Sequence, residues 1–223
     1  MRLKRISVNN TPYLGVSSFC NDDLCLVPNN ILKKEEKILQ DMLDIKIIKT
    51  TINQSPLIGV YMIGVKNKVV IGGDSITSSE LELLEKEGLK VKLVEDYNAL
   101  GNLIAINSKY GFASPLLSET TVKRMSSFLK VDIERKTCAG LDLPGSSIYV
   151  NNNLFLVNPN VTDKEFEYLK KKFKVPGVGT TLNYGGSFVG NDAIGNNKAL
   201  LVGEKTSNIE LMRVDSLVVE FDN

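Results

Sequence analysis

Histidine is absent from this chain of 223 residues. That removes Ser-His-Asp and Cys-His catalysis, His-ligated zinc, and the side chain best suited to proton transfer near neutral pH. Tryptophan is missing too, and aromatic residues make up only 7% of the chain, which argues against a stacking platform for single-stranded nucleic acid. The three cysteines, Cys20, Cys25 and Cys138, are odd in number and lack CxxC spacing, so they read as small core residues in a reducing compartment. Neither charge is in excess. Basic and acidic residues number 27 and 26, whereas non-specific nucleic-acid binders carry a strong basic surplus. The best local basic patch is Lys170–Lys171–Lys172 with Lys174, at a helix end where lysines also complement the helix dipole. No apolar run reaches the roughly 18 residues of a membrane span, and MRLKRISVNN has no apolar signal core. A cytoplasmic protein without membrane attachment is expected.

Phosphate-binding and acid–base motifs are also lacking. There is no Gly-x-x-x-x-Gly-Lys-Ser/Thr, and Leu182 stands where the third glycine of a dinucleotide fingerprint would follow Gly177 and Gly179. Asp22–Asp23 falls in a turn, and Glu35–Glu36 and the Glu80/Glu82/Glu85 group read as solvated helix faces. No cofactor and no metal are expected.

What the chain does contain is a repeat. Five apolar openings, each read as a strand, start at Leu14, Ile58, Leu100, Pro144 and Val189, and their glycines are Gly15, Gly59, Gly101, Gly145 and Gly190. The glycines recur every 42 to 45 residues, and Asn21, Asn107, Asn151 and Asn196 stand six residues after four of them. A fixed period near forty marks repeat architecture. Each opening leads through a polar corner into a second apolar strand and then an amphipathic helix. Phe166–Leu169–Phe173 shows the helical spacing of one buried face. Thr77–x–x–Glu80, Thr162–x–x–Glu165 and Ser207–x–x–Glu210 are capping-box patterns. Third strands follow at DIKIIKT, LKVKLVE, KVDIERK and FKVPGVGTT.

Each unit therefore reads β-β-α-β. The fifth lacks a third strand, and RLKRISVNN resembles it. The expected architecture is α/β, a five-bladed pseudo-symmetric β-β-α-β propeller closed by the N-terminal strand. It forms one domain over residues 1–223. The repeats run over about 15–58, 59–100, 101–144, 145–189 and 190–223 plus 1–14.

The motifs carry a resemblance. LGNLIAINSKYG after Glu95–Asp96, the stretch VPGVGTTLNYGGSFVGNDAIGNNKALLVG from Val175, and the five glycine-led openings resemble the translation initiation factor 6 family of archaea and eukaryotes, along essentially the whole chain. Asn98–Ala99–Leu100–Gly101–Asn102 and Gly179–Thr180–Thr181–Leu182–Asn183 are the most specific parts. The resemblance implies the pentein fold and a monomer that catalyses no reaction. It implies binding to the intersubunit face of the large ribosomal subunit, against an L14-type ribosomal protein near the sarcin–ricin loop. Bound there, such a factor keeps the small subunit from joining, in subunit biogenesis or in control of initiation. Eukaryotic members carry a regulatory C-terminal tail, so the short form implies the archaeal type. They also have Arg where Val60 stands.

Carried over by position, the family's binding face nominates Gly15, Gly59, Val60, Asn102, Ser146 and Asn191, with Asn9, Asn53, Asn98 and Asn183 upstream. Short polar side chains hydrogen-bond a partner at little entropic cost, and glycine lets backbones approach closely. Turn formation alone is the other reading of such residues. Two alternatives belong to other classes. One is a pentein-fold guanidine-modifying enzyme, which would require a Cys nucleophile near the C-terminus and a His. The other is a general protein- or RNA-binding scaffold.

Overall fold

The computed structural model describes residues 1–219. Its strands form five three-stranded sheets. The first holds Phe19–Cys20, Leu24–Pro28 and Lys46–Thr50; the second, Met62–Val65, Lys68–Gly72 and Lys90–Val94; the third, Ile104–Ile106, Gly111–Ala113 and Ile133–Arg135. Ile148–Val150, Phe155–Val157 and Gly177–Gly179 form the fourth. The fifth combines Ala193–Gly195 and Ala199–Gly203 with Arg2–Ile6. In every sheet the inner and middle strands are antiparallel and the outer strand is parallel to the middle one. A tight turn serves the antiparallel pair, but a parallel partner needs a crossover. The helices Lys33–Leu43, Ser78–Lys86, Glu119–Leu129 and Asp163–Phe173 supply it in the first four units, and Asn208–Val219 follows the fifth middle strand.

The middle strands are buried on both faces, which explains why Leu24–Pro28 and Ala199–Gly203 lack the polar alternation of a half-solvated strand. Alternate residues serve different joints. Leu24 and Leu26 pack with Met62, Val69, Ile71 and Leu84 of the second unit, while Cys25 and Val27 join Ile194, Ala199 and Leu201 of the fifth. Each apolar cluster thus lies between consecutive units. Phe112 of the third sheet meets Phe173 of the next unit's helix edge to face, ring centroids 5.1 Å apart.

All three capping boxes form. Thr77, Thr162 and Ser207 accept from the amides of Glu80, Glu165 and Glu210, whose carboxylates accept from the cap amides. Two expectations are corrected. The glycine-led openings are not strands but one-turn helices, Leu14–Ser17, Ile58–Tyr61, Leu100–Leu103, Pro144–Ser147 and Val189–Asp192, and the inner strand starts one turn later. The propeller closed by its N-terminal strand is also overturned. Arg2–Ile6 pairs with Ala199–Gly203 and ends a three-stranded ladder. All five sheets are open, and none closes on itself as a barrel. Consecutive units meet through side-chain clusters, and among the described residues no ladder of main-chain hydrogen bonds runs from one sheet into the next. Residues 220–223 of the expected fifth unit lie outside the described residues.

Candidate functional site

The five one-turn helices touch one another in succession, and Val189–Asp192 touches Leu14–Ser17. Their glycines explain how closely they approach. A Cβ on Gly59 would run into the carbonyl oxygen of Gly15, one on Gly101 into that of Gly59, and one on Gly145 into that of Gly101. Gly190 leans on Gly145 in the same way, and Gly15 on Gly190. Only a residue without a side chain fits this circle of main chains.

Around the circle stands a rim of exposed apolar residues. Tyr13, Leu57 and Phe188 directly precede three of the short helices, and Leu141 and Tyr184 sit on the turns that lead to two of them. Tyr184 is the most open, at 85% exposure. Sequence reasoning passed over these five. The available signal was the pairing of two large apolar residues before the glycine, as in Tyr13–Leu14, Leu57–Ile58 and Phe188–Val189. The second residue of each pair is fully buried and the first is left outside.

Three of the turns feeding the circle share one geometry. Asn9, Asn53 and Asn183 adopt left-handed φ of 51°, 55° and 49°, and Asn10, Gln54 and Tyr184 continue at 59°, 61° and 68°. Two successive left-handed residues are the type I′ pattern, which asparagine tolerates well. The asparagine side chains are committed within the fold. Asn53 Nδ2 donates to the Gly72 carbonyl (2.7 Å), and Asn183 Nδ2 donates to the Pro12 carbonyl (3.0 Å) and to Asp192 Oδ1 (2.8 Å). Asn9 Nδ2 donates to Asn30 Oδ1 at 2.9 Å.

The turn amides are held by the next unit's helix. Asn9 N donates to Glu35 Oε2 (2.7 Å), Gln54 N to Glu80 Oε1 (2.9 Å), and Gly185 N to Glu210 Oε1 (2.8 Å). Glu35 and Glu80, expected on solvated faces, are instead buried clamps. Burial raises the Glu210 carboxyl, but hydrogen bonds from Thr181, Ser207 and Gly185 outweigh it and hold the pKa at about 2. Asp192, close by, goes the other way. Burial pushes it up to about 6, against the hydrogen bond from Asn183 and with the charge of Glu210.

The ten candidate positions therefore divide. Gly15 and Gly59 shape the circle, and Asn9, Asn53 and Asn183 shape its turns. Ser146 is buried at 3% exposure. Val60, Asn102 and Asn191 are half-buried on the short helices beside the rim, and Asn98 is exposed. All ten gather at the glycine-bearing end.

A cavity of about 470 Å³ runs from the glycine circle towards the opposite, asparagine-rich end. There Asn107 Nδ2 donates to the Asn151 carbonyl and Asn151 Nδ2 to the Asn196 carbonyl, both at 3.1 Å, while each Oδ1 caps its own hairpin. Asn21 and Asn196 reach Lys66 and Leu43 in the same manner. Asp22 accepts from Asn152 Nδ2 (2.6 Å) and Asn197 N (2.8 Å) across the mouth. Cys20 and Tyr149 line the cavity, and burial above all raises both pKa values well above the ordinary range. Burial likewise pushes Cys138 up to about 12. These thiols stay protonated at neutral pH and are poor nucleophiles.

A family model described as the eIF-6 family matches residues 3–217. Translation initiation factor 6 of Pyrococcus abyssi is 31% identical over 222 residues, covering 96% of this chain and 97% of that one. The protein of the same name from Staphylothermus marinus is 31% identical over 219 residues, with 96% of each chain covered. A solved structure of dimethylarginine dimethylaminohydrolase aligns at a TM-score of 0.45 and 14% identity, over 91% of this chain and 72% of that one.

Proposed function

The chain belongs to the eIF-6 family of translation factors, which are not enzymes, and we propose that it binds the large ribosomal subunit and blocks joining of the small one. In this reading it acts in the cytoplasm as a monomer. It docks on the intersubunit face against an L14-type ribosomal protein, close to the sarcin–ricin loop.

One observation carries the proposal: a rim of exposed Tyr, Leu and Phe side chains around a tightly packed circle of main chain. Large apolar side chains held on a rigid base lose little entropy on binding, and aromatic residues dominate the energetics of protein interfaces. Tyr13, Leu57, Tyr184 and Phe188 provide the apolar anchors, with Val60, Asn98, Asn102 and Asn191 as neighbouring contacts. Gly15, Gly59, Asn9, Asn53, Asn183 and the buried Ser146 act indirectly, by fixing the face that these side chains occupy. Steric exclusion requires no bond to be made or broken. It requires a tight fit on one side and bulk on the other, and the five packed units provide the bulk.

Gradient sedimentation of purified subunits tests the reading. Co-migration with the large subunit and loss of the joined peak are expected. Leu57→Asp with Phe188→Asp should weaken binding by tenfold or more, since each anchor contributes on the order of 1–2 kcal/mol. A protein that leaves the joined peak intact and stays at the top of the gradient would sink the proposal.

A further inference from the structure

A second surface lies away from the glycine circle, at the joint between the second sheet and the third unit's helix. Three other joints balance a cation with a carboxylate: Lys46 with Glu87, Lys172 with Glu134 at 3.5 Å, and Lys198 with Asp44 at 2.6 Å. This one does not. Lys68 Nζ donates to the carbonyl of Phe128 (2.6 Å), and the ammonium groups of Lys68 and Lys92 both stand 5.6 Å from the Phe128 ring centre. Burial, and then the charges of Lys130 and Lys90, hold the Lys68 ammonium below its ordinary pKa.

Beside them a shallow groove of about 370 Å³ is lined by Lys92, Thr120, Lys123, Arg124 and Ser127. Thr120, Lys123, Arg124 and Ser127 follow the spacing of one face over two turns of Glu119–Leu129. Among the described residues, the only carboxylate in ion-pair contact with any of these cations is Glu119, 2.6 Å from Lys123.

We propose that this groove binds the phosphate backbone of RNA. Ammonium and guanidinium groups interleaved with Ser and Thr hydroxyls are the donor set that phosphate oxygens accept from. The groove lining includes no apolar side chain of the kind that anchors a protein interface, so RNA is favoured over an acidic protein segment. The proposal is independent of the reading given for the glycine circle, because it uses none of the same residues. It also moves the basic patch expected at Lys170–Lys174. Lys172 there donates to Tyr110 Oη (2.8 Å) and pairs with Glu134, so its charge is already matched.

Fluorescence anisotropy with a labelled RNA stem–loop tests it on the full chain. The wild type should bind, with affinity falling steeply as salt rises. The double variant Lys92→Gln/Arg124→Gln should bind about tenfold more weakly, and its log–log salt slope should be shallower by about one for each cation removed. Lys170→Gln/Lys171→Gln should change neither quantity. Thermal melting of both variants at the wild-type temperature keeps the comparison free of unfolding. Leu57→Asp should leave RNA binding intact, which separates a failure here from a failure at the apolar rim. Wild-type protein that ignores the stem–loop, an unchanged slope in the double variant, or tighter binding to a poly-glutamate peptide than to RNA would each overturn the proposal.

Discussion

Replacing Gly59 with alanine puts the packing of the glycine circle to the test. The new methyl group would overlap the carbonyl oxygen of Gly15 and lie 2.5 Å from the carbonyl oxygen of Ser18 and 2.9 Å from the Gly15 carbonyl carbon. All three obstacles are main chain, so none can swing aside as a side-chain tip would. Overpacking of a rigid site costs about 1–3 kcal/mol, and unyielding backbone places Gly59→Ala at the upper end. Alanine returns somewhat under 1 kcal/mol through its better helix propensity and the smaller entropy of its unfolded chain. The net loss is about 2 kcal/mol, which for a chain of this size lowers Tm by roughly 4–8 °C. Gly88→Ala is the control. Gly88 has φ of +85° and nothing within 4 Å of a Cβ, so its substitution carries only the left-handed penalty of about 1 kcal/mol. Differential scanning calorimetry should rank wild type, Gly88→Ala and Gly59→Ala in falling order of Tm. A Gly59→Ala protein that melts with the wild type, or above Gly88→Ala, would show that the short helices have room to part.

Two titrating groups near the circle should give opposite pH dependences. Glu210 has a folded pKa of about 2, below its unfolded value of 4.5, so its stabilisation is complete above that unfolded value and disappears as pH falls through about 2. Glu210→Gln should therefore be less stable than wild type by about 2 kcal/mol near neutrality, and urea titrations should show the gap narrowing in acid. A gap that does not change with pH would contradict the clamp. Asp192 has a folded pKa of about 6 against an unfolded 3.8, so the protonated form is favoured in the fold and stability drops as pH rises through that window. Asp192→Asn should gain on the wild type in Tm as the pH is raised from about 4 to about 8, and equal Tm differences at both ends would refute this.

The repeat, the third strands and the capping boxes were legible because each is a local pattern of apolar spacing or cap chemistry. The glycine-led openings misled because four residues are too few for periodicity to tell a strand from a helical turn. What decides between them is the approach of a neighbouring main chain about forty residues away. Glu35 looked solvated for a related reason. Its helix position gives no hint of the Asn9 amide that buries and binds it. The second role of Asn151, donating to the Asn196 carbonyl, was likewise hidden, although its recurrence after the glycine was plain. A run of lysines at 170–174 drew attention, whereas Lys92 and Arg124 are far apart in sequence and meet only through folding. The apolar rim was missed because exposure is a property of the assembled joint.

The pairing of Arg2–Ile6 with Ala199–Gly203 sets a timetable for folding during synthesis. The first strand leaves the ribosome long before its partner exists. At roughly 5–20 residues per second it waits on the order of 10–40 s for residues 199–203. An unpaired strand is a template for wrong partners throughout that interval, and charge is a common safeguard. Arg2, Lys4 and Arg5 are three of its five residues, and all three are exposed in the finished sheet. Like charges at these positions disfavour the pairing of two such strands with each other before the proper edge arrives.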